Sequence, residues 1–192
     1  MDNNQIKDCI QFLHHNPLSI WVTGLSGSGK TTLANHVSTL FSEYAVNIRI
    51  LDGDHLRKGL NNNLGFSIAD RTENIRRAAE VSKLFNESGI TTINAFICPT
   101  NELRNQAKKI VGTEKYFEIY LDVPFNICEQ RDPKGLYARF RKGEFRELTG
   151  FDSPYEVPEN HDLILKTYLE TPKESAKRTF ESILGYICKI KR

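Results

Sequence analysis

The chain has 192 residues, enough for one compact α/β domain with a sizeable core and too few for two domains of ordinary size. Lysine and arginine number 26 against 24 aspartates and glutamates, and a net charge of +2 excludes the strongly basic surface that duplex nucleic acid or an anionic membrane requires. Cys9, Cys98, Cys128 and Cys188 lie far apart with no Cys-x-x-Cys pair, which argues against a zinc site or a disulfide framework and for a reducing cytoplasm.

Residues 1–16 are polar, with no basic-then-apolar leader pattern, and no apolar run approaches the roughly 20 residues of a membrane helix. From there, short β-type runs at 19–23, 47–51, 90–97, 116–121 and 162–166 alternate with helical patterns at 31–42, 71–88, 101–111, 125–130 and 172–190. Pro172 suits a first helical turn and Gly89 a helix stop. The alternation predicts an α/β fold of the P-loop NTPase type: a parallel sheet of about five strands with helices on both faces. The whole chain, 1–192, reads as one domain. The stretch 131–160 is rich in Gly, Pro and charge, including Lys134, Arg139, Arg141, Lys142 and Arg146, and reads as a lid.

Between the first strand and the first long helix, Gly24, Leu25, Ser26, Gly27, Ser28, Gly29, Lys30 and Thr31 fill every position of G-x-x-x-x-G-K-[ST], with Thr32 following. Glycines let backbone N–H groups turn toward phosphates, and the helix N-terminus adds a favourable dipole. Lys30 is expected to hold the β- and γ-phosphates of ATP, and the Thr31 hydroxyl to ligate Mg²⁺. A glycine-rich turn that binds nothing would not need every position filled.

Asp52, Gly53 and Asp54 follow the second strand, at a carboxyl end expected to face the same crevice. One carboxylate can orient magnesium and the other can take a proton from an attacking hydroxyl. The alternative is a solvated Asp-Gly turn in which Asp54 caps a helix at His55. Further on, Asp70 and Glu73 have the spacing of a helix start, with Asp70 as N-cap. Arg71, Asn74 and Arg77 recur at helical spacing and could present one polar face to an anionic acceptor, or simply a solvated one.

Together with the phosphate loop, Leu51 to Asp54, the run Leu64, Gly65, Phe66, Ser67, the block 70–77, Arg131 to Tyr137, Thr149-Gly150, Pro154 to Glu156 and Pro158 to Asn160 resemble the adenylylsulfate (APS) kinases over about 20–167. That family phosphorylates the ribose 3′-hydroxyl of adenosine 5′-phosphosulfate. The resemblance implies that Asp54 is the base and that Asp52 assists magnesium. It implies too that Arg57, Phe66, Arg71, Asn74, Ile97, Lys134 and Leu148 approach the acceptor, that Arg131 lies near the ATP base, and that the protein is a homodimer.

Four departures gather in one region. Where the family reads Phe-Ile-Ser-Pro-Tyr-Arg, this chain has Cys98, Thr100 and Asn101 in place of the serine, tyrosine and arginine, and Leu148 replaces a phenylalanine that forms a clamp with the Phe66 equivalent. Cys98 reads as a small buried residue at a strand end. The changes are expected to weaken acceptor binding unless Arg104, Arg139 or Arg146 makes good the lost charge. They leave open a sister kinase acting on another activated nucleotide, such as cytidine diphosphoramidate. A non-catalytic nucleotide-binding module is the remaining alternative, disfavoured because Lys30, Thr31, Asp52 and Asp54 are all present.

Overall fold

The structure is a computed structural model that describes residues 2–190. Five parallel strands lie in the order β2-β3-β1-β4-β5: β1 Ser19–Thr23, β2 Ile48–Asp52, β3 Thr91–Ala95, β4 Tyr116–Leu121 and β5 Leu163–Leu165. β1 is central, and both it and β3 are buried along their whole length. β1 accordingly carries the unbroken apolar run Ile20, Trp21, Val22 instead of alternating, whereas β3 buries Thr91, Thr92 and Asn94 as well. β5 closes one edge, where Arg178 donates to the Ile164 carbonyl at 3.3 Å.

Helices α1 Asn3–His15, α2 Lys30–Ser42 and α8 Pro172–Ile190 cover one face of the sheet, and α4 Ile68–Glu87 and α5 Asn101–Val111 cover the other. Ile20 and Val22 of β1 enter the first core with Leu33, Phe41 and Ile183, while Trp21 points into the second with Phe96, Ala78 and Tyr116. Short helices α3 Gly53–Leu56, α6 Phe125–Arg131 and α7 Leu136–Arg141 sit at the carboxyl ends of the strands. Buried in the second layer, Ser19, Ser82, Thr92 and Asn94 form a polar network. It ties α4 to β1 and β3 in one register.

The element order matches the sequence pattern, with three differences beyond the short helices α3 and α7, which that pattern does not contain. α1 was not expected, because its polar composition hides Cys9, Ile10 and Leu13, which pack against α8. Residues 96–100 leave the third strand early: Cys98 adopts φ +43°, a left-handed conformation that no strand can continue through. Finally, α4 starts three residues sooner than Arg71. Ser67, not Asp70, is its N-cap, accepting from the Asp70 N–H at 3.2 Å and donating to the Asp70 carboxylate at 2.7 Å. Cys9, Cys98 and Cys128 are buried free thiols, and the side chain of Cys188 lies outside the described residues. Among the described residues no helix is long and apolar enough to cross a membrane.

Ser67→Ala is expected to lower stability by about 1 kcal/mol, the usual cost of an N-cap hydroxyl. Asp70→Ala, which leaves the hydroxyl in place, is expected to cost less. Urea denaturation of the two variants checks the order, and a larger loss for Asp70→Ala would return the cap to that residue.

Candidate active site

The phosphate loop leaves β1 at Gly24, φ +150°, and enters α2 through Gly29, φ +100°. Gly27 has φ +77°, and a Cβ there would meet the Cys128 carbonyl oxygen at 2.7 Å, so side chains are barred twice over. The loop carbonyls each find a donor. Lys30 Nζ donates to Gly24 O at 2.8 Å and Leu25 O at 2.7 Å, and Tyr137 Oη to Ser26 O at 2.8 Å. Arg131 donates to Gly27 O at 3.3 Å, and the Thr167 hydroxyl to Ser28 O at 2.7 Å. Arg131 is itself held by the Thr167 hydroxyl and carbonyl at 3.0 and 2.8 Å.

Beside the loop, Asp52 does two things at once. One carboxylate oxygen caps α3 by accepting the Asp54 N–H at 2.9 Å, and the other accepts the Thr31 hydroxyl at 2.7 Å. The helix cap is therefore Asp52 rather than Asp54. Asp54 is left facing the cleft, where its carboxylate pairs with Lys134. Two hard oxygen donors, Thr31 and Asp52, thus stand together at the loop's end. Among the described residues no group of three metal-binding side chains occurs, and magnesium held mainly by phosphates and water needs none.

A cleft of about 1170 Å³ runs from this point across the sheet's carboxyl edge, ample for two nucleotides. It gathers most of the sequence-predicted residues: Ser26, Gly27, Gly29, Lys30, Thr31, Thr32, Asp52, Asp54 and Arg131. Arg57, Phe66, Arg71, Asn74, Ile97, Lys134 and Leu148 line it too, Lys134 beside Asp54. Gly24, Leu25 and Ser28 belong to the loop's supporting backbone and do not line it.

Phe66 is 61% exposed, and the Arg57 guanidinium sits over its ring at 4.5 Å. Arg57 is steadied by the Leu64 and Gly65 carbonyls at 3.0 and 2.7 Å. Arg71 reaches from α4 to the 131–160 segment, donating to Phe66 O, Thr149 Oγ1 and Glu147 O at 2.7, 2.7 and 2.8 Å. Burial, and for Arg57 also the neighbouring Arg71, pulls both guanidinium groups below the usual arginine range, and both stay charged. Asn74 is fixed by the buried Asn61 at 2.9 Å.

Several expectations change here. Leu148 is only 4% exposed, closed in by the turn 148–153, so it is a wall of the cleft and not a free counterpart to Phe66. Arg77 is spent on Glu73, Asn63 and the Leu60 carbonyl. Thr100 caps α5, and Asn101 binds the 131–160 segment; neither lines the cleft. Two of the sequence departures therefore lie outside the cleft lining. Arg104, 3% exposed, is turned away as well and supplies no charge there. Cys98 does line the cleft, but burial pushes its thiol up, out of the reactive range. Tyr137 and Thr167 escaped sequence reasoning because their partners, Ser26 and Ser28, lie more than 100 residues away, and Asn61 because it acts only through Asn74.

Comparison with known proteins assigns this arrangement. The adenylylsulphate kinase family model matches residues 16–166. The chain belongs to the adenylylsulphate kinase family. Over 181 residues, 94% of this chain and 90% of the relative, it is 49% identical to the adenylyl-sulfate kinase of Bacteroides thetaiotaomicron. The Phocaeicola vulgatus adenylyl-sulfate kinase is 48% identical over 95% of this chain and 90% of its own length. Among solved structures, the Mycobacterium tuberculosis APS kinase CysC in complex with AMPPNP and APS superposes with a TM-score of 0.84 at 42% identity. That match covers 88% of this chain and 98% of the other. Membership makes the chain an ATP-dependent nucleotide kinase with a P-loop fold.

Burial, reinforced by Lys134, lowers Lys30 from 10.5 to about 8. A lysine depressed in the folded state disfavours folding while it is charged in both states, and the penalty eases only as pH rises from about 8 toward 10.5. Whatever Lys30→Met loses at the Gly24 and Leu25 carbonyls, the difference in melting temperature is expected to move in favour of the unmodified protein as pH rises from about 8 toward 10.5. Thermal unfolding at a series of pH values checks this, and a constant gap would mean that Lys30 titrates normally.

Proposed function

We propose that this chain transfers the γ-phosphoryl group of ATP to the ribose 3′-hydroxyl of adenosine 5′-phosphosulfate. The observation that carries the reading is the single cleft that joins the phosphate loop and the Thr31–Asp52 pair to Asp54 and the wall of Phe66, Arg57, Arg71 and Asn74. Family membership and the M. tuberculosis neighbour, solved with AMPPNP and APS, support both ends of it. The displacement of Thr100 and Asn101 from the acceptor wall removes the main reason to look for a different nucleotide.

In this mechanism the loop N–H groups and Lys30 hold the β- and γ-phosphates, with Lys30 exchanging its loop carbonyls for phosphate oxygens. Thr31 and Asp52 would hold Mg²⁺, which neutralises charge on the transferring group. Asp54 accepts the proton of the attacking hydroxyl, and Lys134, its ion-pair partner, faces the charge that develops alongside. The acceptor base packs between Phe66 and the aliphatic wall that includes Leu148, while Arg57 and Arg71 face its anionic groups. Residues 131–160 form the lid of a single domain spanning 1–192, and its closure excludes water that would waste ATP. A cytoplasmic homodimer completes the proposal: the location agrees with the buried free thiols, the assembly follows the family resemblance, and sedimentation tests it.

Asp54→Asn is expected to reduce kcat by about 10²–10⁴-fold with little change in ATP affinity. A variant that keeps kcat and alters only the magnesium requirement would exchange the roles of Asp52 and Asp54. For the acceptor, kcat/KM with adenosine 5′-phosphosulfate is expected to exceed that with cytidine diphosphate derivatives, and Leu148→Phe to bring no gain. A preference for the cytidine compound, with adenosine 5′-phosphosulfate rescued by phenylalanine, would overturn the assignment.

A further inference from the structure

Arg104 is the most heavily engaged buried cation outside the cleft. One end of its guanidinium donates to the Cys98 carbonyl at 2.6 Å, and the other to Asn101 Oδ1 and the Glu156 carbonyl at 2.7 and 2.8 Å. Its Nε lies 3.4 Å from Glu118 of β4, which is 5% exposed. The same junction is stitched by backbone. Glu156 N–H donates to Pro99 O at 2.8 Å, Asn101 N–H to the Glu156 carboxylate at 2.7 Å, and Glu159 N–H to Asn101 Oδ1 at 3.2 Å. Next to it, the Tyr155 hydroxyl lies 3.0 Å from the Thr23 hydroxyl, which donates to Ile97 O at 2.5 Å.

These bonds join two pieces that matter for the acceptor. Ile97, Cys98 and Pro99 line the cleft, and residues 154–160 are the limb by which the lid returns to the sheet. We propose that Arg104 is a positioning residue for acceptor binding, holding the 97–99 wall and the returning limb of the lid as one rigid piece. The inference rests on the acceptor reading above and adds to it a residue that never touches substrate. Asn101, where the family has arginine, belongs to the same clasp: its amide bridges Arg104 to the Glu159 N–H. Only the planar fork of arginine reaches Cys98, Asn101 and Glu156 together, so lysine is not an equivalent.

The test uses Arg104→Lys and the double variant Arg104→Met, Glu118→Gln, which removes both buried charges and leaves neither unpaired. Emission of Trp21, the only tryptophan, which stacks on Tyr116 in the adjacent core, reports that the fold is intact. Both variants are expected to raise KM for adenosine 5′-phosphosulfate by about tenfold or more, as misplacement of a binding wall does. KM for ATP is expected to stay unchanged, and amide exchange at Asn101 and Glu156 to quicken. Folded variants with an unchanged KM for the acceptor would overturn the proposal even if exchange quickens, since the clasp would then be structural only. Should the unmodified protein fail to use adenosine 5′-phosphosulfate, the acceptor reading falls by itself. The clasp is then decided by exchange, and protection at Glu156 that persists without Arg104 overturns it.

Discussion

The phosphate loop can present its N–H groups to an anion only if its carbonyls face the other way, and those carbonyls then need donors. Everything else about the site follows from that constraint. Lys30 satisfies two carbonyls from within the motif, but the remaining donors come from Arg131, Tyr137 and Thr167, more than 100 residues away. Strand order makes this possible: β4 and β5 lie on the same side of β1, so the segments that follow them arrive behind and beside the loop. A chain with the motif but without these later segments would have the right residues and no reason to hold them in that conformation.

On the other side of β1, β3 and β2 carry Cys98 and Asp52 to the same edge, and α4 brings Arg71 and Asn74. The polar network of Ser19, Ser82, Thr92 and Asn94 matters here, since sliding α4 by one turn would break it and move both side chains off the wall. Arg71 bonds to Thr149 and Glu147 as well as facing the cleft, so the cleft wall and the 131–160 segment share a residue.

Local chemistry was legible in the sequence and distant chemistry was not. The phosphate loop, the paired aspartates and the α4 face are short patterns whose meaning depends on neighbours, and the structure places them together. The cap of α4 was misassigned because Ser67 with Asp70 and Asp70 with Glu73 fit the same spacing, and only backbone conformation decides between them. The resemblance puts Thr100 and Asn101 at the acceptor because they replace a tyrosine and an arginine of the family. The left-handed turn at Cys98 sends them to the far side of the wall, and nothing in a cysteine announces that conformation. Arg104 illustrates the same limit: helical spacing put it within reach of the site but could not tell which way it pointed.

The distance of the loop's donors along the chain also sets an order of events. β1 is synthesised early, yet its two sheet neighbours begin at Thr91 and Tyr116, and the hydroxyl that accepts Arg131 and braces Ser28 comes only at Thr167. Such non-local pairing slows folding and exposes a half-built sheet while it lasts. During synthesis the nucleotide site is therefore among the last features to be completed. A nucleotide that binds only the finished site pulls the equilibrium toward the folded chain and has no grip on the partly folded ones.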